Sequence, residues 1–312
     1  MNISRVLRSP EPIALTVGNF DGLHLGHRAI LARLRDAARQ RGLPPCVMTF
    51  EPHPREFFAP DQAPTRLTSL REKLELLAAE GIDAVYVCRF DYSFAQTSAA
   101  DFIERILWRG LQVRWMLVGD DFRFGARRAG DVTMLREAGI RLGFEVEDLP
   151  SVKVGALRAS STAVREALAA GNLDAAARLL GRPYSIIGRV GHGDKLGRQL
   201  GFATANLRIQ HNRPALTGIF AVEVHGLGAG DPHPGVASLG VRPTLGAGQA
   251  PLLEVHLFDF DRDIYGTRLK VDFLAKLRDE EKYPDLESLT RQIARDVKAT
   301  QAFFRKRNTH HG

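Results

Sequence analysis

Short apolar runs alternate with amphipathic segments through the first half of the chain, then give way near Gly181-Arg182-Pro183 to one strand-like segment after another. This change of pattern limits the fold more than any other feature. Ile13 to Val17, Val47 to Phe50, Ala84 to Phe90 and Trp115 to Val118 are short, β-branched or aromatic, and bounded by Gly, Pro or Asp, as buried strands are. Between them Ile30, Leu31, Leu34 and Ala38 recur at helical spacing. Ser69 and Glu72 form a capping-box pattern ahead of Leu74, Leu76 and Leu77, and Phe102, Ile103, Ile106 and Leu107 make a third apolar face. Strand, helix, strand in repetition predicts an α/β domain with a parallel sheet and helices on its faces.

After Tyr184, the segments Ile186 to Val190, Ile219 to Val224, Leu252 to Leu257 and Leu269 to Phe273 read as strands separated by Gly- and Pro-rich turns. Only the end is helical: Leu286, Leu289, Ile293, Val297 and, after a one-residue slip, Phe303 and Phe304 form one stripe that could cover a barrel or sheet. The expectation is two domains, residues 1–183 and 184–312, which suits a chain of 312 residues.

Cys46 and Cys88 are the only cysteines, each inside an apolar run, which fits reduced core thiols. No run approaches the length of a membrane span and the first ten residues lack the apolar stretch of a signal peptide, so the expected location is the cytoplasm, with no membrane partner. The net charge of +7 is spread along the chain, and Arg305-Lys306-Arg307 is the one tight cationic cluster. Phosphate-bearing small molecules suit such a surface as well as nucleic acid does. Basic residues interleaved with aromatics on adjacent strands, the mark of an RNA binder, are missing from the pattern, so no nucleic-acid partner is expected. The oligomeric state is not legible.

Two constellations carry chemistry. Directly after the first strand, Gly18-Asn19-Phe20-Asp21-Gly22-Leu23-His24-Leu25-Gly26-His27 opens the first long helix. A strand-to-helix turn aims backbone N–H groups and the positive helix end above the sheet, where anions bind in open α/β folds. His24 and His27 could point N–H groups at one phosphate whose charge grows on attack. A capped helix start with two incidental histidines is the plainer alternative, and zinc is set aside because too few ligands are near. Ser160-Ser161-Thr162-Ala163-Val164-Arg165 is a second helix start, with hydroxyls and a guanidinium that suit a triphosphate.

In the second half, Gly188 to Phe202 is glycine-dense and basic, including Gly193, Lys195 and Gly201, and runs into Ala203-Thr204-Ala205-Asn206. Glycine admits polyphosphate close to backbone amides, while Thr204 and Asn206 offer neutral oxygens suited to magnesium already carrying nucleotide phosphates. A flexible hairpin is the alternative. In Leu252 to Phe260, Glu254 shares a face with His256 and Phe258, opposite Leu253, Val255 and Leu257, so a core on the latter face turns the carboxylate toward a ligand. A carboxylate so placed suits a general base for an alcohol attacking phosphate; an ordinary exposed glutamate is the alternative.

The His24/His27 turn with the Ser-Ser-Thr helix start resembles the nucleotidylyltransferase superfamily. Val118 to Gly125 and Thr49 to Pro54 narrow the resemblance to the adenylyltransferase half of bacterial bifunctional riboflavin kinase/FAD synthetases. Gly188 to Asn206, Gly235 to Thr244, Glu254 to Phe260 and Leu277 to Glu280 resemble the riboflavin kinase half. The resemblance implies a Rossmann-like domain followed by a β-barrel with a C-terminal helix. It implies riboflavin, FMN, FAD and ATP as substrates or products, with magnesium serving both steps. By resemblance Gly18, Phe20, Asp21, Gly26, Ser161, Thr162 and Arg165 handle ATP in the first half, and Gly188, Gly193, Lys195 and Gly201 in the second. Thr204 and Asn206 hold magnesium, Glu254 is the base, and Arg278 lies on a loop near the flavin. Phe57, Phe58, Phe122 and Phe124 are candidates for a flat flavin slot. Two departures stand out: Ala203 where the family has Pro, and Ala163 where relatives carry a long basic residue. A chain with one working activity, or a flavin-binding module, are the rival readings.

Overall fold

The computed structural model describes residues 1–150, 152–193, 201–209, 213–228, 232–242 and 250–309. Its first sheet is wholly parallel, built from β1 (Asn2–Ser4), β2 (Ile13–Val17), β3 (Pro45–Glu51), β4 (Ala84–Arg89), β5 (Val113–Gly119) and β6 (Glu145–Leu149) in the order β1-β4-β3-β2-β5-β6. All five residues of β2 are buried, because side chains leave a strand alternately and helices cover both faces. Ile13, Leu15 and Val17 enter one core with Met48, Met116 and Phe102, while Ala14 enters the other with Leu31, Leu34 and Trp115. The helix Leu25–Arg41 buries Leu31, Leu34, Ala37 and Ala38 and ends on Gly42 in the left-handed conformation (φ 62°).

The predicted third helix exists over Phe102–Gly110, wound as a π-helix, with Phe102, Ile103 and Leu107 buried. A two-stranded ribbon, β7 (Lys153–Val154) with β8 (Leu157–Arg158), precedes the helices Ser161–Ala169 and Leu173–Leu180.

The second sheet closes on itself. β9 (Tyr184–Gly191), β10 (Ala205–Arg208), β11 (Gly218–His225), β12 (His233–Arg242), β13 (Ala250–Leu257) and β14 (Arg268–Arg278) form an antiparallel barrel in the order β10-β13-β12-β11-β14-β9. Leu207, Phe220, Leu239, Leu253, Val255, Leu269, Val271 and Phe273 are at most 1% exposed and make the core. The helix Leu286–Thr309 lays Val297 and Phe304 over Ile219, Val236 and Phe258.

The packing divides the chain into one compact unit of Met1–Pro64 with Leu70–Ser161, and a second of Thr65–Ser69 with Thr162–Gly312. The strand grammar puts the boundary near Pro183, later than this division. The reason is that the helix Leu173–Leu180 packs on β9 and β14, and the backbone at Gly171 lies against the Lys276 side chain. A change from helices to strands marks where the sheet resumes, not where the helices dock.

Candidate active sites

In the first unit the chain winds from β2 outward to β3 and β4, then returns to β5 on the other side of β2. The carboxyl ends of β2 and β5 therefore flank a switch point, the position where open α/β sheets bind ligands. The turn after β2 fills it. Phe20 (φ 47°), Gly22 (φ 80°) and Leu23 (φ 45°) adopt left-handed backbone, which costs about 1–3 kcal/mol for each non-glycine residue. Burial offsets that cost: Phe20 is 1% and Leu23 2% exposed, each worth roughly 1.5–3 kcal/mol. The turn is a strained loop pinned into the core by two apolar side chains.

That pinning orients the histidines. His24 is the N-cap of the helix Leu25–Arg41, its Nδ1 accepting the His27 backbone N–H at 3.3 Å. An accepting Nδ1 leaves the proton of the neutral ring on Nε2, which is thereby a donor. The two rings stack with centroids 3.7 Å apart, and Phe20 packs on His27 at 4.9 Å. His27 Nδ1 is buried without a hydrogen-bond partner among the described residues. Burial, then the neighbouring His24 and Lys73, hold the His27 pKa well below the usual 6.5, so the ring is neutral near pH 7. The first turn of this helix carries no acidic residue, leaving its positive end open to anions.

Gly26 allows the closest approach. A Cβ there would lie 2.9 Å from the Ala159 carbonyl and 3.0 Å from the His24 ring. The segment before the second helix start thus passes directly over the histidine turn, and Ser161 Oγ donates to the Asp21 carbonyl at 2.9 Å. Ser161 is a staple between the two segments, while Asp21 itself is 5% exposed. Thr162 is exposed one residue further on, and Arg165 Nε donates to the Thr65 carbonyl at 2.6 Å. Of the aromatic candidates, Phe124 is 6% exposed and packs on Phe102 at 5.2 Å in the core. It is a core residue, unlike Phe122, which stacks on its outer side and is partly buried. Phe57 and Phe58 end the helix Pro54–Phe58, capped reciprocally by His53 and Glu56, and cluster with Phe90; Phe58 is 66% exposed.

The barrel carries the second site. Cross-strand pairing sets Gly191, Asn206, Glu254, Ser238, Ile219 and Arg278 in one continuous row across neighbouring strands. Directly opposed residues share a face, so Asn206, Glu254 and Ser238 point the same way, away from buried Leu253 and Val255. The expected alternation of β13 holds. A cavity of about 250 Å³ opens on this face, lined by Thr204, Ser238, Glu254, His256, Arg278, Glu280, Tyr283 and Asp296 with apolar Phe202, Ile219, Val236 and Ile293.

Its walls are braced. Arg278 donates from both Nε (3.0 Å) and Nη2 (2.7 Å) to the two carboxylate oxygens of Asp296, and from Nη1 to the Asp279 carbonyl. The guanidinium presents a fixed plane near the Tyr283 ring, 5.9 Å from its centroid. It belongs to the end of β14 rather than to a loop. His256 Nδ1 lies 2.8 Å from the Ala203 carbonyl, tying down the residue before Thr204. At Gly193 a Cβ would collide with the Asn206 amide, so the glycine makes room for that side chain. Gly188, expected in a phosphate loop, is buried inside β9, where a Cβ would lie 3.0 Å from the Arg208 carbonyl. Its glycine answers to strand packing. Gly201 has φ 85° and open space around it, and Lys195 lies outside the described residues.

Sequence comparison assigns the two halves. The FAD synthetase family matches residues 7–163 and the riboflavin kinase family residues 180–304. The bifunctional riboflavin kinase/FMN adenylyltransferase of Escherichia coli K12 is 50% identical over 294 residues, covering 94% of this chain and 93% of that one. The chain belongs to the bifunctional riboflavin kinase/FMN adenylyltransferase family. Its Haemophilus influenzae relative is 48% identical over 97% of both chains. The crystal structure of a macrolide-efflux protein from Streptococcus pneumoniae superposes with a TM-score of 0.80 at 28% identity, over 96% of this chain and 98% of that one. Among the described residues here, no helix is long and apolar enough to cross a membrane.

Within this family frame the switch-point turn belongs to the adenylyltransferase half and the barrel cavity to the kinase half. The structure brings Thr204, Glu254 and Arg278 to one cavity and places Asn206 opposite Glu254. Sequence reasoning missed Asp296 and Tyr283, and placed His256 on the face of Glu254 without giving it a role. For Asp296 a signal existed: it is an acid three residues after Ile293, on the helix stripe that is otherwise apolar.

Proposed function

We propose that the protein transfers the γ-phosphoryl group of ATP to riboflavin, giving FMN, and then joins FMN to the AMP portion of a second ATP, giving FAD and pyrophosphate. One observation carries this reading: a single chain holds both a phosphate-type turn at an α/β switch point and a braced cavity with a carboxylate on a closed barrel.

In the kinase half, the riboflavin ring enters the cavity against the Arg278 plane, Tyr283 and apolar Ile219 and Val236. Glu254 accepts the proton of the ribityl terminal hydroxyl as that oxygen bonds to the γ-phosphorus and the bond to ADP breaks. The donor set fits a divalent cation that arrives on ATP: Thr204 and Asn206 are neutral oxygen ligands, and Gly193 leaves the space that the Asn206 amide occupies. Thr204 and Asn206 would hold magnesium, which when bound offsets phosphate charge.

In the adenylyltransferase half, a phosphate oxygen of FMN attacks the α-phosphorus of ATP and pyrophosphate leaves. No covalent enzyme intermediate is needed. His24 Nε2–H, fixed by the cap at Nδ1, donates to the phosphate chain, and the helix N-terminus adds its positive end. The buried thiols of Cys46 and Cys88, both pushed up to about 12 chiefly by burial, are inert packing groups suited to the cytoplasm.

Incubation of the purified protein with riboflavin, ATP and magnesium, followed by separation of flavins, tests the reading. FMN appears first and FAD follows. Riboflavin left unchanged while supplied FMN is converted to FAD would restrict the protein to its second activity.

A further inference from the structure

A buried cation lies at the phosphate end of the first unit and has no part in the mechanism above. Lys73, on the helix Leu70–Ala79, is 5% exposed. Its Nζ donates to Thr49 Oγ1 at 3.4 Å, and Thr49, 0% exposed near the carboxyl end of β3, donates in turn to the Asn19 carbonyl at 3.3 Å. Asn19 is the second residue of the turn that leads to His24 and His27. A chain of two hydrogen bonds therefore runs from the Lys73 ammonium to the strained backbone of that turn.

The histidines alone supply little positive charge. Rings stacked 3.7 Å apart cannot both be protonated at acceptable cost, and His24 Nδ1 is already an acceptor. A triphosphate and a flavin phosphate together bring several negative charges to the same end of the sheet. We propose that Lys73 is a positioning residue of the adenylylation site, bracing the His24/His27 turn through Thr49 and supplying the fixed positive charge that the stacked imidazoles cannot.

The proposal rests on the adenylyltransferase reading of this half. His24 on its own turn and Lys73 on the helix Leu70–Ala79 act on His27, against which the uncharged Phe20 ring packs; two buried carboxylates, Asp21 on the turn and Glu72 beside Lys73, belong to the same two elements. Lys73 disfavours protonation of His27, so removing its charge lets His27 protonate at higher pH.

Two substitutions separate charge from bracing, with FAD formation from supplied FMN measured across pH. Lys73→Gln keeps a donor for Thr49 but no charge: kcat falls, by up to about a hundredfold for a disturbed reacting geometry, and the acid limb of the profile moves to higher pH. Lys73→Arg keeps the charge and leaves the acid limb in place. Riboflavin phosphorylation by the same preparations stays at the parental rate and serves as the folding control. A Gln variant with the parental rate and acid limb overturns the proposal, as does an Arg variant that shifts the limb like Gln. Where either variant loses both activities, Thr49→Val decides: it lowers kcat with the limb unmoved, and an unchanged kcat refutes the bracing. Absence of FAD formation by the parent protein would instead refute the adenylyltransferase reading itself.

Discussion

Asp296→Asn isolates what holds the kinase cavity together. The Asp296 carboxylate is 9% exposed and the Arg278 side chain 20%, and they are joined by two hydrogen bonds of 2.7 and 3.0 Å. The substitution keeps the shape of the side chain, removes its charge, and leaves a largely buried guanidinium with one amide oxygen in place of two carboxylate oxygens. Breaking one partner of a buried pair costs about 3–5 kcal/mol, and the residual exposure of Arg278 sets the expectation at the lower end, about 3 kcal/mol. For a unit of this size that lowers the unfolding midpoint by about 6–12 °C. Calorimetry of the full chain measures it, with each transition assigned by the kinase and adenylyltransferase activities surviving after heating. Only the transition tied to kinase activity moves, and KM for riboflavin rises because the guanidinium plane is no longer fixed. A loss under about 1 kcal/mol, the ordinary worth of an exposed pair, together with an unchanged KM, would refute the claim that the C-terminal helix braces this wall.

Glu254→Gln removes the proton acceptor and keeps the packing of β13, so riboflavin phosphorylation falls about a hundred- to ten-thousandfold while binding of riboflavin, followed by flavin fluorescence, persists. His27→Ala slows FAD formation on the order of a hundredfold and lets FMN accumulate, as resolved by flavin chromatography. Because His27 is held below the usual 6.5, the unfolded chain takes up the extra proton first. The stability of the first unit is therefore complete above pH 6.5 and declines as pH falls below it, in denaturant titrations that His27→Gln flattens. Gly26→Ala places a methyl group against the Ala159 carbonyl and the His24 ring, so adenylylation drops while phosphorylation of riboflavin is retained.

How much of this was legible depended on whether a residue's partner lies nearby in sequence. β2, Ile-Ala-Leu-Thr-Val, is buried on both faces and reads as an apolar run broken only by the β-branched Thr16. β6, Glu-Val-Glu-Asp-Leu, pairs on one side only at the sheet edge, so its three acids hide it. β12 was invisible for another reason. Its glycines belong to a strand because the His256 carbonyl lies 2.6 Å from where a Gly235 Cβ would sit, and the Glu280 carboxylate occupies the corresponding space at Gly240. In the sequence alone those glycines read as turns. The helix at Phe102–Gly110 showed its apolar face but not its π winding, since both windings bring nearly the same residues inward over so few turns.

The site divides along the same line. Glu254 was legible because strand alternation puts it opposite Leu253 and Val255, a rule of period two that needs no knowledge of the partner strand. His24 and His27 were legible because turn, cap and helix are contiguous. Lys73 and Asp296 were not: Lys73 stands in the charged run Arg71-Glu72-Lys73, which reads as a solvated helix start, and Asp296 appears only as an interruption of an apolar stripe. Their reasons lie 24 residues away at Thr49 and 18 residues away at Arg278, distances that only the closed sheet and barrel bring within hydrogen-bond reach. A buried charge costs stability wherever its partner is missing. A charge that interrupts an otherwise apolar helical stripe is therefore a sign, carried by the residue order itself, that the fold brings a partner to it.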